Sequence, residues 1–248
     1  MNNIRTFTLL TSLLMCSGSH ASDSWYVVKN YRGTLGKYPV HVSLQTYQFG
    51  AYVSVKGSYY YDKYHAPIAL YGRETADGLV LCEVASKTDF EKYLLFGERY
   101  SLSDCPFRLV NNEQGLTGVW QNEKSTLAVS LSSTASMDQT HIIANQGSIE
   151  IPFWGQTATH SFMGVYENSG DGLSVNHIKV LDKKQGNVIQ VINPQTENCQ
   201  FGFYMTAIYQ NIETINDSTV SFNCYSTKAD ISDEYIFNKK EGLYYPAQ

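Results

Sequence analysis

Hydrophobic and polar residues alternate along much of the chain, which is the pattern of half-buried β-strands. Val40, Val42 and Leu44 alternate with polar neighbours, and residues 53–61 continue with the same period of two. Short apolar runs then recur about every ten residues, separated by turn residues such as Asp77-Gly78. They cover residues 68–71, 79–84, 94–96, 107–110, 116–120 and 127–131. This spacing predicts antiparallel β-structure, with a short helix as the alternative for residues 89–95.

The pattern is interrupted once, near the middle of the chain. Residues 132–139 lack periodicity and have no large apolar side chain except Met137, so we predict a linker at residues 134–139. Further strands are predicted at residues 141–144, 148–153, 158–166, 173–181, 188–192, 201–209 and 219–225. The prediction is an all-β protein with antiparallel, meander or barrel-like sheets in two lobes, an N-terminal domain at 22–133 and a C-terminal domain at 140–248.

The N-terminus has the order of features found in secretory signal peptides. Arg5 supplies a positive charge, residues 6–15 form an uncharged Leu-rich run, and Ser19-His20-Ala21 offers small residues where signal peptidase reads. We therefore predict a signal peptide at residues 1–21 and a periplasmic or secreted mature chain. Cys16 leaves lipidation as an alternative. No later run reaches about 18 apolar residues, so we expect no membrane span in the mature chain.

The remaining four cysteines are predicted to form disulfides. An even number in an exported protein indicates cross-links rather than metal ligands or catalytic thiols. Four cysteines allow three pairings, and pairing neighbours in the sequence closes two modest loops. We predict the bonds Cys82–Cys105 and Cys199–Cys224, one in each lobe, with four buried free thiols as the alternative.

Charge and tyrosine content bear on the partner. The formal net charge of −5 argues against nucleic acid, because phosphate binding needs a basic surface. The 19 tyrosines outnumber the 18 glycines, and several of them cluster at residues 59–65. Tyrosine combines a large contact area with a polar tip and is enriched at interfaces. We predict a binding surface there, although tyrosine also suits half-buried strands. Its members are Tyr59, Tyr60, Tyr61, Tyr64 and His65.

Motifs of catalysis and cofactor binding are missing from the sequence. It contains neither a G-x-S-x-G elbow nor an S-x-x-K motif, and its histidines form no H-E-x-x-H pair. We therefore predict no catalytic residue, no metal site and no cofactor, and expect a binding protein rather than an enzyme. Glycoside hydrolysis needs only two facing carboxylates, so a glycan-active enzyme stays an alternative.

Two groups of short motifs resemble known exported proteins. Gly57-Ser58-Tyr59-Tyr60-Tyr61, Ile68-x-Leu70-x-Gly72, Leu79-x-Leu81-x-Glu83 and Gly118-x-Trp120 together resemble a β-meander of uncharacterised exported proteins of Gram-negative bacteria. Ile178-x-Val180-x-Asp182 with Gly186 and Gln190-x-Ile192 resembles a hairpin of periplasmic proteins, some of which inhibit host lysozymes. The inhibitory loop signatures of those proteins have no counterpart here. The resemblance therefore implies a binding or inhibitory module and assigns no residue.

These observations predict an exported, disulfide-stabilised β protein that binds a macromolecule. The expected partner is a protein or glycan of the cell envelope, such as a lysozyme that the protein inhibits. One alternative is a carbohydrate-binding protein or glycan-active enzyme that uses aromatic platforms and paired carboxylates. Another is a structural envelope or surface-assembly subunit, which would present exposed strand edges.

Overall fold

The computed structural model describes residues 26–48, 52–138, 141–144, 147–169, 172–193, 212–225 and 230–247. Every strand pairing in this part of the chain is antiparallel, which confirms the predicted all-β class. Within the same ranges, no helix has the length and apolar character needed to cross a bilayer. The predicted signal peptide lies outside the described residues.

The first eight strands form a closed barrel. Each strand pairs with the next, and β8 also pairs with β1, so the sheet has no free edge between them. A short ninth strand continues the sheet beyond β8. The strands are β1 Tyr26–Leu35, β2 Tyr38–Tyr47, β3 Val55–Tyr61, β4 Ile68–Thr75, β5 Gly78–Glu83, β6 Phe107–Asn112, β7 Gly115–Gln121, β8 Thr126–Asp138 and β9 Ile142–Ala144.

Alternate residues of these strands fill the barrel with apolar side chains. Gly57 and Gly72 occupy two inward positions where no side chain fits. A Cβ on Gly57 would lie 2.2 Å from the Ser43 carbonyl oxygen, and a Cβ on Gly72 would lie 2.0 Å from the Val80 carbonyl oxygen. Adjacent backbones approach closely at such positions in a strongly coiled sheet. The buried interior consists of Tyr31, Leu35, Val40, Val42, Leu44, Val55, Tyr59, Leu70, Leu79, Leu81, Phe107, Leu109, Leu116, Val129 and Leu131.

A helical excursion between β5 and β6 covers part of the outer face of the barrel. It contains α1 (Lys87–Asp89), a π-helical segment (Phe90–Leu95) and a 3-10 helix (Leu102–Asp104). The disulfide Cys82–Cys105 joins its two ends, which confirms the first predicted bond. The strand predicted at 94–96 is wrong and the helical alternative is correct. Leu94 and its helical neighbours Phe90 and Tyr93 pack on the barrel, an arrangement that helical spacing provides.

Two four-stranded sheets follow the barrel. The second sheet contains β10 Ser148–Pro152, β11 His160–Ser169, β12 Gly172–Asp182 and β13 Val188–Ile192. The third contains β14 Ile212–Asn216, β15 Thr219–Tyr225, β16 Asp230–Asn238 and β17 Leu243–Pro246. Two hydrogen bonds link the sheets: the Tyr244 N–H donates to Gln190 Oε1 at 2.7 Å, and Gln190 Nε2 donates to the Tyr244 carbonyl oxygen at 2.8 Å.

The second sheet packs against the outside of the barrel. Its Ile149, Ile151 and Phe153 belong to the same buried cluster as Val28 and Tyr71 of the barrel. Polar contacts support this packing, because Trp154 Nε1 donates to the Gly57 carbonyl oxygen at 2.9 Å. Asn30 Nδ2 likewise donates to the Glu150 carbonyl oxygen at 2.6 Å.

The predicted linker differs from the structure. Residues 134–138 belong to β8, which pairs with β1 past a bulge and with β9 on its other side. Backbone pairing on both sides stabilises a stretch whose small polar side chains carry little strand signal. The domain boundaries at 22–133 and 140–248 stay predictions. The strand predicted at 201–209 lies outside the described residues. The second predicted disulfide, Cys199–Cys224, also lies outside what the structure describes.

Candidate functional site

One end of the barrel interior is closed by a satisfied polar network. The Tyr59 hydroxyl donates to Glu83 Oε1 at 2.7 Å, and Trp120 Nε1 donates to the same oxygen at 2.9 Å. The Phe107 ring packs edge-on against Tyr59, with centroids 5.5 Å apart. Burial and the neighbouring carboxylate raise the pKa of Tyr59, so its phenol remains a hydrogen-bond donor. We call Tyr59, Glu83, Phe107 and Trp120 the closed end.

The opposite end of the barrel contains a cavity of about 340 Å³, which we call the open-end cavity. Its floor is the top layer of the barrel core. Tyr31, Leu44, Leu79 and Leu116 form this floor. The walls are Tyr26, Val27, Lys29, Thr46, Tyr47, Gln48, Glu74 and Asn111. A concave apolar floor below a few polar groups is the usual form of a ligand pocket.

The open-end cavity holds charges of both signs. Lys29 lies on β1 and Glu74 on β4, both at inward-facing positions and both exposed. Neither forms a salt bridge within the described residues. Burial, and secondly the negative charge of Glu74, raises the pKa of Tyr31 to about 12. The cavity therefore offers a cation, a carboxylate and a neutral phenol to a ligand that enters from solvent.

The five residues of the tyrosine segment at 59–65, which was predicted to be a binding surface, lie in different environments. Tyr60 is buried and stacks between His41 and His65, at centroid distances of 5.0 and 5.8 Å. It also packs against Met163 and Leu181 of the second sheet. Tyr60 therefore contacts another part of the same chain and is not available to an external partner in this conformation.

The other four residues of that segment do not form one surface either. Tyr59 points into the barrel, and Tyr61 is half-buried at the same end. His65 has a positive φ of 49° and packs so closely on Gly186 that a Cβ there would lie 2.4 Å from its ring. Only Tyr64 of the five is exposed, with 56% of its surface accessible. A binding role for Tyr64 stays a prediction.

A buried polar cluster lies on the outer face of β2 and β3. Gln45 is opposite Lys56 in the strand register, and Ser43 is opposite Ser58. All four residues are at most 5% exposed. Lys56 Nζ donates to the Leu94 carbonyl oxygen at 3.1 Å, and burial lowers the pKa of Lys56 to about 8. Within the described residues, both amide atoms of Gln45 and the Ser58 hydroxyl have no hydrogen-bond partner.

A second polar arrangement lies where the second sheet meets the barrel. Asp62 Oδ1 and His41 Nδ1 are 2.6 Å apart beside a cavity of about 350 Å³. Burial lowers the pKa of His41 more than Asp62 raises it. An aspartate that orients a histidine is a feature of general bases, but the second ring nitrogen must then reach the substrate. His41 Nε2 is buried, so the pair does not form an accessible catalytic base.

Comparison with known proteins gives no family assignment. No family model, curated protein or solved structure matches this chain. In the part of the chain that is described, no group of three His, Cys, Asp or Glu side chains is arranged to hold an ion. The open-end cavity, which sequence reasoning missed, is therefore the site on which a functional assignment can be based.

Proposed function

We propose that this protein is a binding module that holds a polar group of a cell-envelope ligand in the open-end cavity. The observation that carries the proposal is that Lys29 and Glu74 lie above an apolar floor and form no salt bridge with any described residue. A ligand with amide or hydroxyl groups and charges of both signs complements such a cavity. Glycopeptide fragments of a cell wall have this chemistry, and they agree with the glycan or protein partner expected from the sequence.

The arrangement of carboxylates inside the barrel supports binding over glycoside hydrolysis. Glu74 is opposite Leu79 in the register, and Glu83 lies four residues further along β5. At about 3.3 Å per residue, these two carboxylates are about 13 Å apart along the strand. Glycoside hydrolases place their carboxylates about 5–9.5 Å apart. The two glutamates of the barrel interior therefore do not form such a pair.

Calorimetry with soluble peptidoglycan fragments tests the proposal. We expect Lys29→Gln and Glu74→Gln each to weaken binding about tenfold, because each removes a charge-assisted contact of the ligand. The matched controls are Lys124→Gln and Glu123→Gln, two exposed residues in the turn between β7 and β8. They make the same charge changes at the other end of the barrel and should leave the affinity unchanged.

A lysozyme serves as the protein probe in the same experiment. If the protein inhibits the lysozyme and the variants Lys29→Gln and Glu74→Gln inhibit it less strongly, the open-end cavity is supported as the site for a protein partner. The proposal is contradicted if both variants still bind and Tyr64→Ala does not. That result would place the site on the tyrosine segment. Failure of both probes to bind overturns the proposed ligand class.

A further inference from the structure

A separate cavity of about 560 Å³ lies outside the barrel, near the open end. Arg73 contributes from the outer face of β4, and Tyr52 from the residues before β3. The rest of the lining comes from the helical excursion. We call this the arginine cavity; it is lined by Tyr52, Arg73, Arg99, Tyr100, Ser101 and Leu102. The lining contains two cations and no carboxylate.

The two arginines lack an anionic partner in the described part of the chain. Within the described ranges, Arg73 and Arg99 form no salt bridge. The Arg99 guanidinium lies over the Tyr52 ring, 5.8 Å from its centroid, and this cation–π contact positions it beside the cavity. Arg108 is different, since its guanidinium donates to three backbone carbonyl oxygens and thereby holds the excursion in place. The guanidinium N–H groups of Arg73 and Arg99 are therefore available to a ligand.

Tyr100, the neighbour of Arg99, also lines the arginine cavity. Its ring is fixed by edge contacts with Tyr71 at 5.0 Å and Tyr93 at 5.9 Å. Its hydroxyl is inaccessible to solvent and, among the described residues, has no hydrogen-bond partner. Burial raises the pKa of Tyr100 to about 12 against the opposing effect of Arg73, so the phenol is neutral. The contacts to a ligand in this cavity are therefore assigned to the two arginines.

We propose that the arginine cavity binds a tetrahedral oxyanion, namely a phosphate or sulfate group. The forked N–H groups of Arg73 and Arg99 match the oxygen atoms of such an anion. The cavity is distinct from the open-end cavity but close to it. Tyr47 lines the open-end cavity, and its pKa is raised first by burial and secondly by an electrostatic interaction with Tyr100. The proposal does not depend on what the open-end cavity binds.

Titration with inorganic phosphate tests this site. Calorimetry is performed at constant ionic strength, with sodium chloride as the balancing salt, so that general screening is the same throughout. We expect saturable phosphate binding that Arg73→Gln and Arg99→Gln each weaken about tenfold or more. Arg32→Gln is the matched control, because Arg32 is exposed on β1 and loses the same charge outside the cavity. Binding that is equal in all three variants overturns the proposal.

Tyr100→Phe tests whether the contacts belong to the arginines alone. Without phosphate, removal of a hydroxyl that has no partner among the described residues should leave the Tm unchanged or raise it. The phosphate affinity should be unchanged, because the two arginines supply the contacts to the anion. A loss of phosphate affinity in Tyr100→Phe as large as in Arg73→Gln contradicts this assignment.

The source of the oxyanion is distinguished by a second pair of probes. A hexose phosphate that binds more tightly than inorganic phosphate, while the unmodified hexose does not bind, indicates an oxyanion attached to a larger ligand. Equal affinity for the hexose phosphate and inorganic phosphate indicates the free anion. Absence of phosphate binding above the chloride background overturns the proposal for both sources.

Discussion

The two ends of the barrel place a glutamate in opposite situations. At the closed end, Glu83 accepts hydrogen bonds from Tyr59 and Trp120, and aromatic side chains fill the surrounding space. At the open end, Glu74 stands exposed near Lys29 without pairing with it. Glu83 is therefore held by hydrogen bonds within the fold. Glu74 can contact a ligand without any rearrangement of the core.

The outer face of the barrel shows the same contrast between satisfied and unsatisfied polar groups. Arg108 uses its guanidinium to bind backbone carbonyl groups. Lys56 has one carbonyl partner, and its neighbours Gln45 and Ser58 have side chains without a hydrogen-bond partner among the described residues. Buried polar groups without partners are uncommon, since each costs about 1–3 kcal/mol. The polar groups that contribute to stability can therefore be distinguished from those that reduce it, and substitutions can test the distinction.

Alanine substitution of the two glutamates should give the largest difference. Glu83→Ala leaves the Tyr59 hydroxyl and Trp120 Nε1 without an acceptor, so we expect a loss of about 3 kcal/mol in the free energy of unfolding. Glu74→Ala removes an exposed side chain without a salt-bridge partner in the described chain and should change it by less than about 0.5 kcal/mol. Denaturant unfolding of both variants measures the difference. Equal losses would show that the two ends are equivalent.

The pH dependence of stability should reveal Lys56. Its pKa is about 8 in the folded protein against 10.5 for the free side chain. Between these values the unfolded chain binds a proton that the folded chain does not, so the free energy of unfolding rises with pH. From about pH 8, where the folded amine is half protonated, to pH 9.5 we expect a gain of about 1.5 kcal/mol, since the full slope is about 1.4 kcal/mol per unit. Above this range, ionisation of tyrosines in the unfolded chain acts in the opposite direction.

Two methionine variants isolate the contribution of Lys56. Lys56→Met should abolish most of the rise in stability between pH 8 and pH 9.5, since it removes the amine whose pKa is lowered to about 8. Burial also lowers the pKa of Lys183, which acts in the same direction. Lys29→Met removes an exposed lysine from the open-end cavity and should retain the rise. A rise that persists in Lys56→Met would assign it to another group.

The fold was predictable as far as local patterns determine it. Alternation in β2 and β3 and the regular spacing of turns predicted antiparallel sheets, and the structure confirms them. The closure between β1 and β8 was not predictable, because these strands are far apart in the sequence and β1 mixes Lys29, Tyr31 and Arg32 with its apolar positions. The end of β8 was also missed, since its stability comes from pairing with two strands rather than from its own side chains.

The site was less predictable than the fold. Lys29 and Glu74 are polar residues in strands, and they point inward only because the barrel closes around them. The tyrosine segment shows the opposite case: Tyr59 and Tyr60 belong to the predicted binding surface, and they are buried on the two faces of one strand, as the half-buried alternative expects. The alternation of faces was visible in the sequence, whereas the second sheet that covers the outer face was not.

Replacement of an unsatisfied amide should stabilise the protein. Gln45 is fully buried, and both its amide atoms lack a partner among the described residues. Gln45→Met has a similar volume and removes the desolvated amide, so we expect a gain of about 1 kcal/mol in the free energy of unfolding. Thr46→Val, at a half-buried position on the adjacent inward face, is the control for a general effect of added hydrophobicity. A loss of stability in Gln45→Met would show that the amide has a partner in solution, such as an ordered water.

The smallest effect is expected for Tyr64, the exposed member of the tyrosine segment. Tyr64 contacts Lys63 through its ring and hydrogen-bonds the Tyr61 carbonyl through its backbone N–H, which alanine preserves. Tyr64→Ala should therefore change the free energy of unfolding by less than about 0.5 kcal/mol. It should also leave the affinity for peptidoglycan fragments unchanged, since Tyr64 does not line the open-end cavity. Calorimetry that shows a large loss of affinity in Tyr64→Ala, with stability intact, would move the binding site from the open end of the barrel to the tyrosine segment.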